Sequence, residues 1–142
     1  PFATTTQEGW GITHDGRRLI VSDGSSFLHF WDPSALPRFE EIAPRMQVVD
    51  ERGVPVQKLN ELEYINGEIY ANVWYQDDIL RIDPDTGRVK GRLNFDGLIQ
   101  PYARALRQTR VDCLNGIAWN ASDPEHILIT GKWWPKLFKV KI

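Results

Sequence analysis

The chain has 142 residues, a net charge of −2 and 42% hydrophobic side chains, enough apolar content for the core of one domain. So small a charge does not mark a binder of nucleic acid or of anionic membrane. No apolar run approaches the roughly 20 residues of a membrane span, and residues near Pro1 carry no signal-peptide pattern.

In chain order, Pro1–Gln7 reads as the tail of an earlier strand and a loop. Glu8–Thr13 is a strand, His14-Asp15-Gly16 a turn, Arg18–Gly24 a second strand, and Phe27–Trp31 a third that stops at Asp32-Pro33. Pro33–Pro44 reads as a Pro-rich loop, Met46–Asp50 as an outer strand and Glu51–Pro55 as a turn. Leu59–Ile65 and Glu68–Trp74 flank Asn66-Gly67, a strong hairpin signal because a type I′ turn needs positive φ at both central residues. After a bend at Tyr75–Asp78, Ile79–Ile82 ends at Asp83-Pro84, and Arg88–Asn94 alternates polar and apolar as an outer strand with one wet face should. Leu98–Asp112 departs from this pattern. Tyr102–Arg110 has good helix formers, and Arg104, Arg107 and Arg110 would fall along one helix stripe, read as a solvated rim face rather than a phosphate or carboxylate site. Leu114–Trp119, His126–Lys132 and Leu137–Ile142 close the sequence as strands. Cys113 is the single cysteine, so no internal disulfide forms and the compartment is undetermined. It is expected to be a small half-buried residue near a strand start.

The strand–turn–strand–bend–strand pattern thus occurs three times, with starts at Glu8, Glu61 and Asn115 about 53 residues apart, a period that signals a β-propeller array. The expected units span residues 8–50, 59–97 and 114–142, with a rim insertion at 98–112. Known propellers have roughly 4–8 blades, so three units do not close a ring. The expectation is an all-β propeller of which this chain is the C-terminal part, or one chain of a nicked protein, with its last blade completed by a strand from the other terminus.

Loops at one end of a propeller channel carry its binding site, so the polar residues at repeat landmarks are the candidates. Glu61 and Glu63 should share one face of their strand, with Asn60 on the other. Either carboxylate could act as a base or metal ligand, or be a solvated charge. Asn60 is out of place in a strand, and its carboxamide both donates and accepts. Asn115 recurs in the same Leu-Asn start. Asp23, Trp74 and Lys132 take one repeat-equivalent position, suggesting an anion, an apolar wall and a cation converging on one pocket, although Asp23 also suits a turn. The sequence has no Gly-x-Ser-x-Gly, Walker loop or His-Glu-x-x-His, and His14, His29 and His126 have no zinc-ligand spacing.

Taken together, the segments EGWGIT, VSDGSS, LNELEYINGEIYANVWYQDDILRIDP, DCLNGIAWN and ILITGKWWPKLFKVK resemble the C-terminal half or more of the plant and bacterial glutaminyl cyclases (glutamine cyclotransferases). The resemblance runs over essentially the whole chain. It implies a five-bladed propeller, with about three C-terminal blades present here. The implied activity is conversion of the N-terminal glutamine of peptides and proteins to pyroglutamate with release of ammonia, with no cofactor and no metal. It places Asn60 and Lys132 in the catalytic site and Trp74, Asn60 and Trp10 against substrate. The family's catalytic glutamate falls upstream of Pro1, and Glu8, which belongs to a later repeat, does not inherit that role. Implied partners are peptides with N-terminal Gln and the N-terminal blades of the same protein, with no nucleic acid and no membrane. The family's habit suggests a secreted or periplasmic setting. Two other readings compete: a propeller scaffold or inactive homologue, and a metal-dependent hydrolase such as a lactonase, for which Asp23, Asn60, Glu61 and Asn115 would be the oxygen ligands.

Overall fold

In the computed structural model, which describes residues 6, 8–35 and 40–142, three antiparallel sheets follow one another along the chain. Gly16 turns the backbone at φ +86°, and the Asp15 carboxylate accepts from the amides of Arg17 and Arg18. The first sheet runs in sequence order through β1 (Gly11–His14), β2 (Leu19–Ser22), β3 (Phe27–Trp31) and β4 (Glu41–Gln47). The second has the same order: β5 (Leu59–Ile65), β6 (Glu68–Val73), β7 (Asp78–Ile82) and β8 (Val89–Asn94). Asn66 and Gly67 close its first hairpin at φ +48° and +87°, as the turn chemistry requires. After α1 (Gln100–Ala105), the third sheet comprises β9 (Leu114–Trp119), β10 (His126–Gly131) and β11 (Phe138–Lys141). The expected strand tail at Pro1–Gln7 lies, apart from Thr6, outside the described residues, as does the 36–39 part of the expected Pro33–Pro44 loop.

The sheets pack through their faces, and the middle one is covered on both sides. Ile69, Ala71, Val73, Leu80 and Ile82 join Ile20, Leu28 and Phe30 in one buried cluster. Ile65, Tyr70 and Ile79 join Leu114, Ile117, Ile127 and Ile129 in the other. Successive residues of β6 therefore alternate between two cores, and the strand is buried from Ile69 to Val73. The first strand of the middle sheet, β5, touches both β1 and β9.

Two expectations are corrected. The outer strand of the first sheet is Glu41–Gln47, not Met46–Asp50. Pro44 is tolerated because β4 is an edge strand. Its register slips between Leu28↔Met46 and Phe30↔Ala43, so Pro44 and Arg45 together oppose the one residue His29. Val49 makes only isolated bridges, to Pro55 and Arg88. The expected Tyr102–Arg110 helix is instead the six residues of α1. Arg107 takes φ +51°, and the Gln108 amide reaches back to the Ala103 carbonyl at 2.8 Å, a left-handed helix stop. Arg104, Arg107 and Arg110 therefore do not share a helical stripe.

Candidate functional site

One turn geometry recurs at the end of the second strand of each sheet. The residues that follow are Asp23-Gly24, Trp74-Tyr75 and Lys132-Trp133, and the second of each pair has φ of +82°, +64° and +62°. Glycine adopts this backbone freely. For Tyr and Trp it is an outlier costing on the order of 1–3 kcal/mol. Backbone bonds fix the residue before it: the Trp74 amide donates to the Lys58 carbonyl (2.9 Å) and the Lys132 amide to the Cys113 carbonyl (3.0 Å).

The first strands carry a matching irregularity. Between Leu59↔Val73 and Leu62↔Ala71 the register shifts, which leaves Asn60 and Glu61 opposite the single residue Asn72. Between Gly131↔Leu114 and Ile129↔Ile117 it shifts again, leaving Asn115 and Gly116 opposite Thr130. Bulges re-aim side chains at the rims of sheets. Here they bring Asn60 and Asn115 into one cavity of about 270 Å³, shared with Trp10, Trp74 and Lys132.

Trp74 is the hub of this cavity. Trp10 meets its ring edge-on (5.2 Å, 87°) and Tyr75 stacks on it (4.5 Å, 29°). The Lys132 ammonium stands 5.7 Å and the Lys58 ammonium 6.0 Å from its ring, within cation–π range. Asn60 is 6% exposed, and its backbone is held by the Ser22 hydroxyl, which donates to the Asn60 carbonyl at 2.6 Å. Gly11 passes so close to that carbonyl that a Cβ at position 11 would overlap it. Trp10 is steadied by its indole N–H, which donates to Glu8 at 2.8 Å. Asn115 Oδ1 is buried with no hydrogen-bond partner among the described residues.

Behind the cavity, Glu61 and Glu63 both face β9, as expected of alternate residues. The Trp119 amide donates to Glu63 at 2.9 Å. Burial pushes the Glu61 carboxyl up to about 8, against a bond from the Ile117 amide that favours ionisation and with the Glu63 charge adding to the rise. Glu61 Oε2 has no partner among the described residues.

Asp23 does not join its repeat-equivalents. Its carboxylate accepts from the Ser25 amide (3.0 Å) and hydroxyl (2.6 Å) and contacts His29 Nε2 at 3.0 Å. Burial would raise its pKa, but these bonds outweigh burial and hold it below the ordinary carboxylate range. His29 Nδ1 meets Glu41 at 2.7 Å, so this group braces β3 against β4. The anticipated convergence of anion, wall and cation is thus only a wall and a cation. Among the described residues no group of three or more His, Cys, Asp or Glu is placed to hold a metal ion. Cys113 is half-buried and unbonded to sulfur.

Residues 2–142 match the family model of the glutamine cyclotransferases. The chain belongs to that family. A glutaminyl-peptide cyclotransferase of Arabidopsis thaliana is 40% identical over 145 residues, covering 100% of this chain and 42% of the relative. The crystal structure of the glutaminyl cyclase of Myxococcus xanthus superposes with a TM-score of 0.83 at 38% identity, over 96% of this chain and 56% of that one. The chain therefore spans about half the length of these relatives. Kluyveromyces lactis Hsv2 shares the fold at 10% identity (TM-score 0.57, 95% of this chain and 33% of that one).

In this member of the family, sequence reasoning missed Lys58 and Tyr75, which meet the Trp74 ring, and Trp133, which follows Lys132. Lys58 also has a positive φ, +65°. One signal was available: Gly24, at the repeat position of Tyr75 and Trp133, marks a left-handed residue that its equivalents must copy.

Proposed function

We propose that this chain supplies one side of the active site of a glutaminyl-peptide cyclotransferase, acting on peptides and proteins with N-terminal glutamine. The three sheets are, in this reading, blades of a five-bladed propeller, spanning 8–50, 59–97 and 114–142 with residues 98–112 on the rim, and the N-terminal blades complete the ring. The observation that carries it is the meeting of Asn60, Trp74, Lys132 and Trp10 around one cavity in a chain of this family.

The reaction needs a neutral α-amine. Its nitrogen attacks Cδ of the γ-carboxamide of the same residue, the N–Cδ bond forms, the bond from Cδ to the amide nitrogen breaks, and ammonia leaves with the proton the amine gives up. The Lys132 and Lys58 ammonium groups, both near the Trp74 ring, disfavour a charged α-ammonium nearby. Lys132 also stabilises the oxyanion that develops on the carboxamide oxygen. Asn60 holds the substrate through its carboxamide, which pairs with amide donors and acceptors alike. Trp74 and Trp10 wall the cavity with apolar surface, excluding water and favouring the folded side-chain conformer in which amine and Cδ meet. The base that carries the proton from amine to leaving group is, in this reading, a carboxylate outside residues 1–142.

The test is cyclisation of a Gln-initiated peptide by the full-length protein with chelator present, following loss of ammonia by mass. Turnover is expected. A complete, folded and inert protein would instead identify a scaffold or inactive homologue, and turnover that chelator abolishes would return the metal-dependent reading.

A further inference from the structure

We propose that Tyr75 and Trp133 form the subsite for the second residue of the substrate, and that an aromatic side chain is preferred there. This rests on the cyclotransferase reading of the cavity behind them.

In that reading the cavity lined by Trp10, Asn60, Trp74, Asn115 and Lys132 holds the glutaminyl residue, and the next residue of the peptide leaves past the residues that follow Trp74 and Lys132. What stands there is set by the recurrent turn: Tyr75 follows Trp74 directly and Trp133 follows Lys132. Both rings are largely in solvent, at 63% and 60% exposure, on backbones of φ +64° and +62° that glycine would adopt without strain.

The first sheet shows the alternative. Gly24 has the same backbone sign, and a Cβ there would strike the Trp10 ring at 2.6 Å, so packing demands glycine in that sheet and leaves the other two positions open to a larger residue. Two strained, exposed aromatics, each directly following a residue that lines the cavity, are an arrangement that the fold itself does not require. Each ring is already oriented, Tyr75 by its stack on Trp74 at 4.5 Å and Trp133 by the Arg110 guanidinium at 4.7 Å. Each leaves a ring face or edge for an incoming ring, and aromatic pairs prefer offset or edge-on contact.

The experiment compares kcat/KM of the full-length protein for a Gln-Phe and a Gln-Ala peptide of otherwise identical sequence. The unsubstituted protein should prefer Gln-Phe about three- to tenfold, the worth of one aromatic contact. The double variant Tyr75→Gly, Trp133→Gly should bring the ratio to about one, through KM rather than kcat. Glycine suits both backbones, and Tyr75→Asn with Trp133→Asn repeats the test on another residue that tolerates positive φ. A Phe-to-Ala ratio near one in the unsubstituted protein, or one unchanged by the substitutions, overturns the proposal. Failure of the unsubstituted protein to turn over either peptide is a different result: it removes the cyclotransferase reading and this subsite with it.

Discussion

The two seams that join the middle sheet to its neighbours are fastened with different chemistry. On the first seam both links are hydroxyls: Ser22 donates to the Asn60 carbonyl (2.6 Å) and Thr13 accepts from the Tyr64 amide (3.0 Å). On the second, both links are acceptors, a carboxamide and a carboxylate, Asn72 taking the Gly116 amide and Glu63 the Trp119 amide, each at 2.9 Å. A hydroxyl is small and satisfied by one or two bonds. The larger groups leave atoms over: Asn72 Nδ2, Glu61 Oε2 and Asn115 Oδ1 are buried and unpartnered among the described residues. Unpaired buried polar atoms cost stability, so the second seam is the less economical fastening. It is also the seam that Asn115 and Lys132 border, which fits a wall arranged for chemistry rather than for packing.

The contrast is broken most sharply by Lys132→Ala. The side chain makes no ion pair among the described residues, so stability should hold while kcat/KM for a Gln-initiated peptide falls about 10²–10³-fold, the usual loss for one oxyanion-stabilising group. Steady-state kinetics beside a thermal melt checks both halves.

The next effect is on pH dependence. Glu61 has its folded-state pKa raised to about 8 from 4.5, so the folded state holds a proton that the unfolded chain releases. Its contribution is fully present below pH 4.5 and is lost as pH rises through about 8, at about 1.4 kcal/mol per unit at most. Glu61→Gln keeps an uncharged group at all pH. The variant should therefore gain on the parent protein between pH 5 and 8.5, by up to a few kcal/mol, with the gap closing near pH 4. Parallel denaturation curves over that range that never diverge would contradict the burial argument.

The smallest effect belongs to the first seam. Thr13→Val keeps the shape and removes the acceptor of the Tyr64 amide, which should cost about 1–3 kcal/mol. Activity at a temperature where the variant is folded should stay within about twofold, since Thr13 does not line the cavity. A large kinetic loss there would erase the distinction between the seams.

What could be read from the sequence follows from which residues announce their backbone. Asn66-Gly67 announces a turn, and β5 has the bounds that this turn and the Leu-Asn start suggest. β4 was misplaced because Pro44 reads as a breaker, whereas an edge strand with a slipped register absorbs it. Trp74 and Lys132 were found from the repeat, and the structure brings both to one cavity with Asn60, Asn115 and Trp10. Asp23 fits the same repeat, yet its carboxylate is spent on Ser25 and His29, a local competition that spacing cannot show. The bulge at Asn60 and Glu61 has no side-chain signature, and the left-handed Tyr75 and Trp133 are signalled only by Gly24 at the equivalent position, because residues that rarely adopt a conformation do not advertise it.

The central claim is that this cavity holds the glutaminyl residue that is cyclised. It is tested most directly by kcat/KM of Asn60→Ala in the full-length protein on a Gln-initiated peptide, at a temperature where parent and variant are both folded. A loss of about tenfold or more, the worth of a substrate hydrogen bond in a buried site, is predicted. A value within about twofold of the parent protein would place the reaction elsewhere.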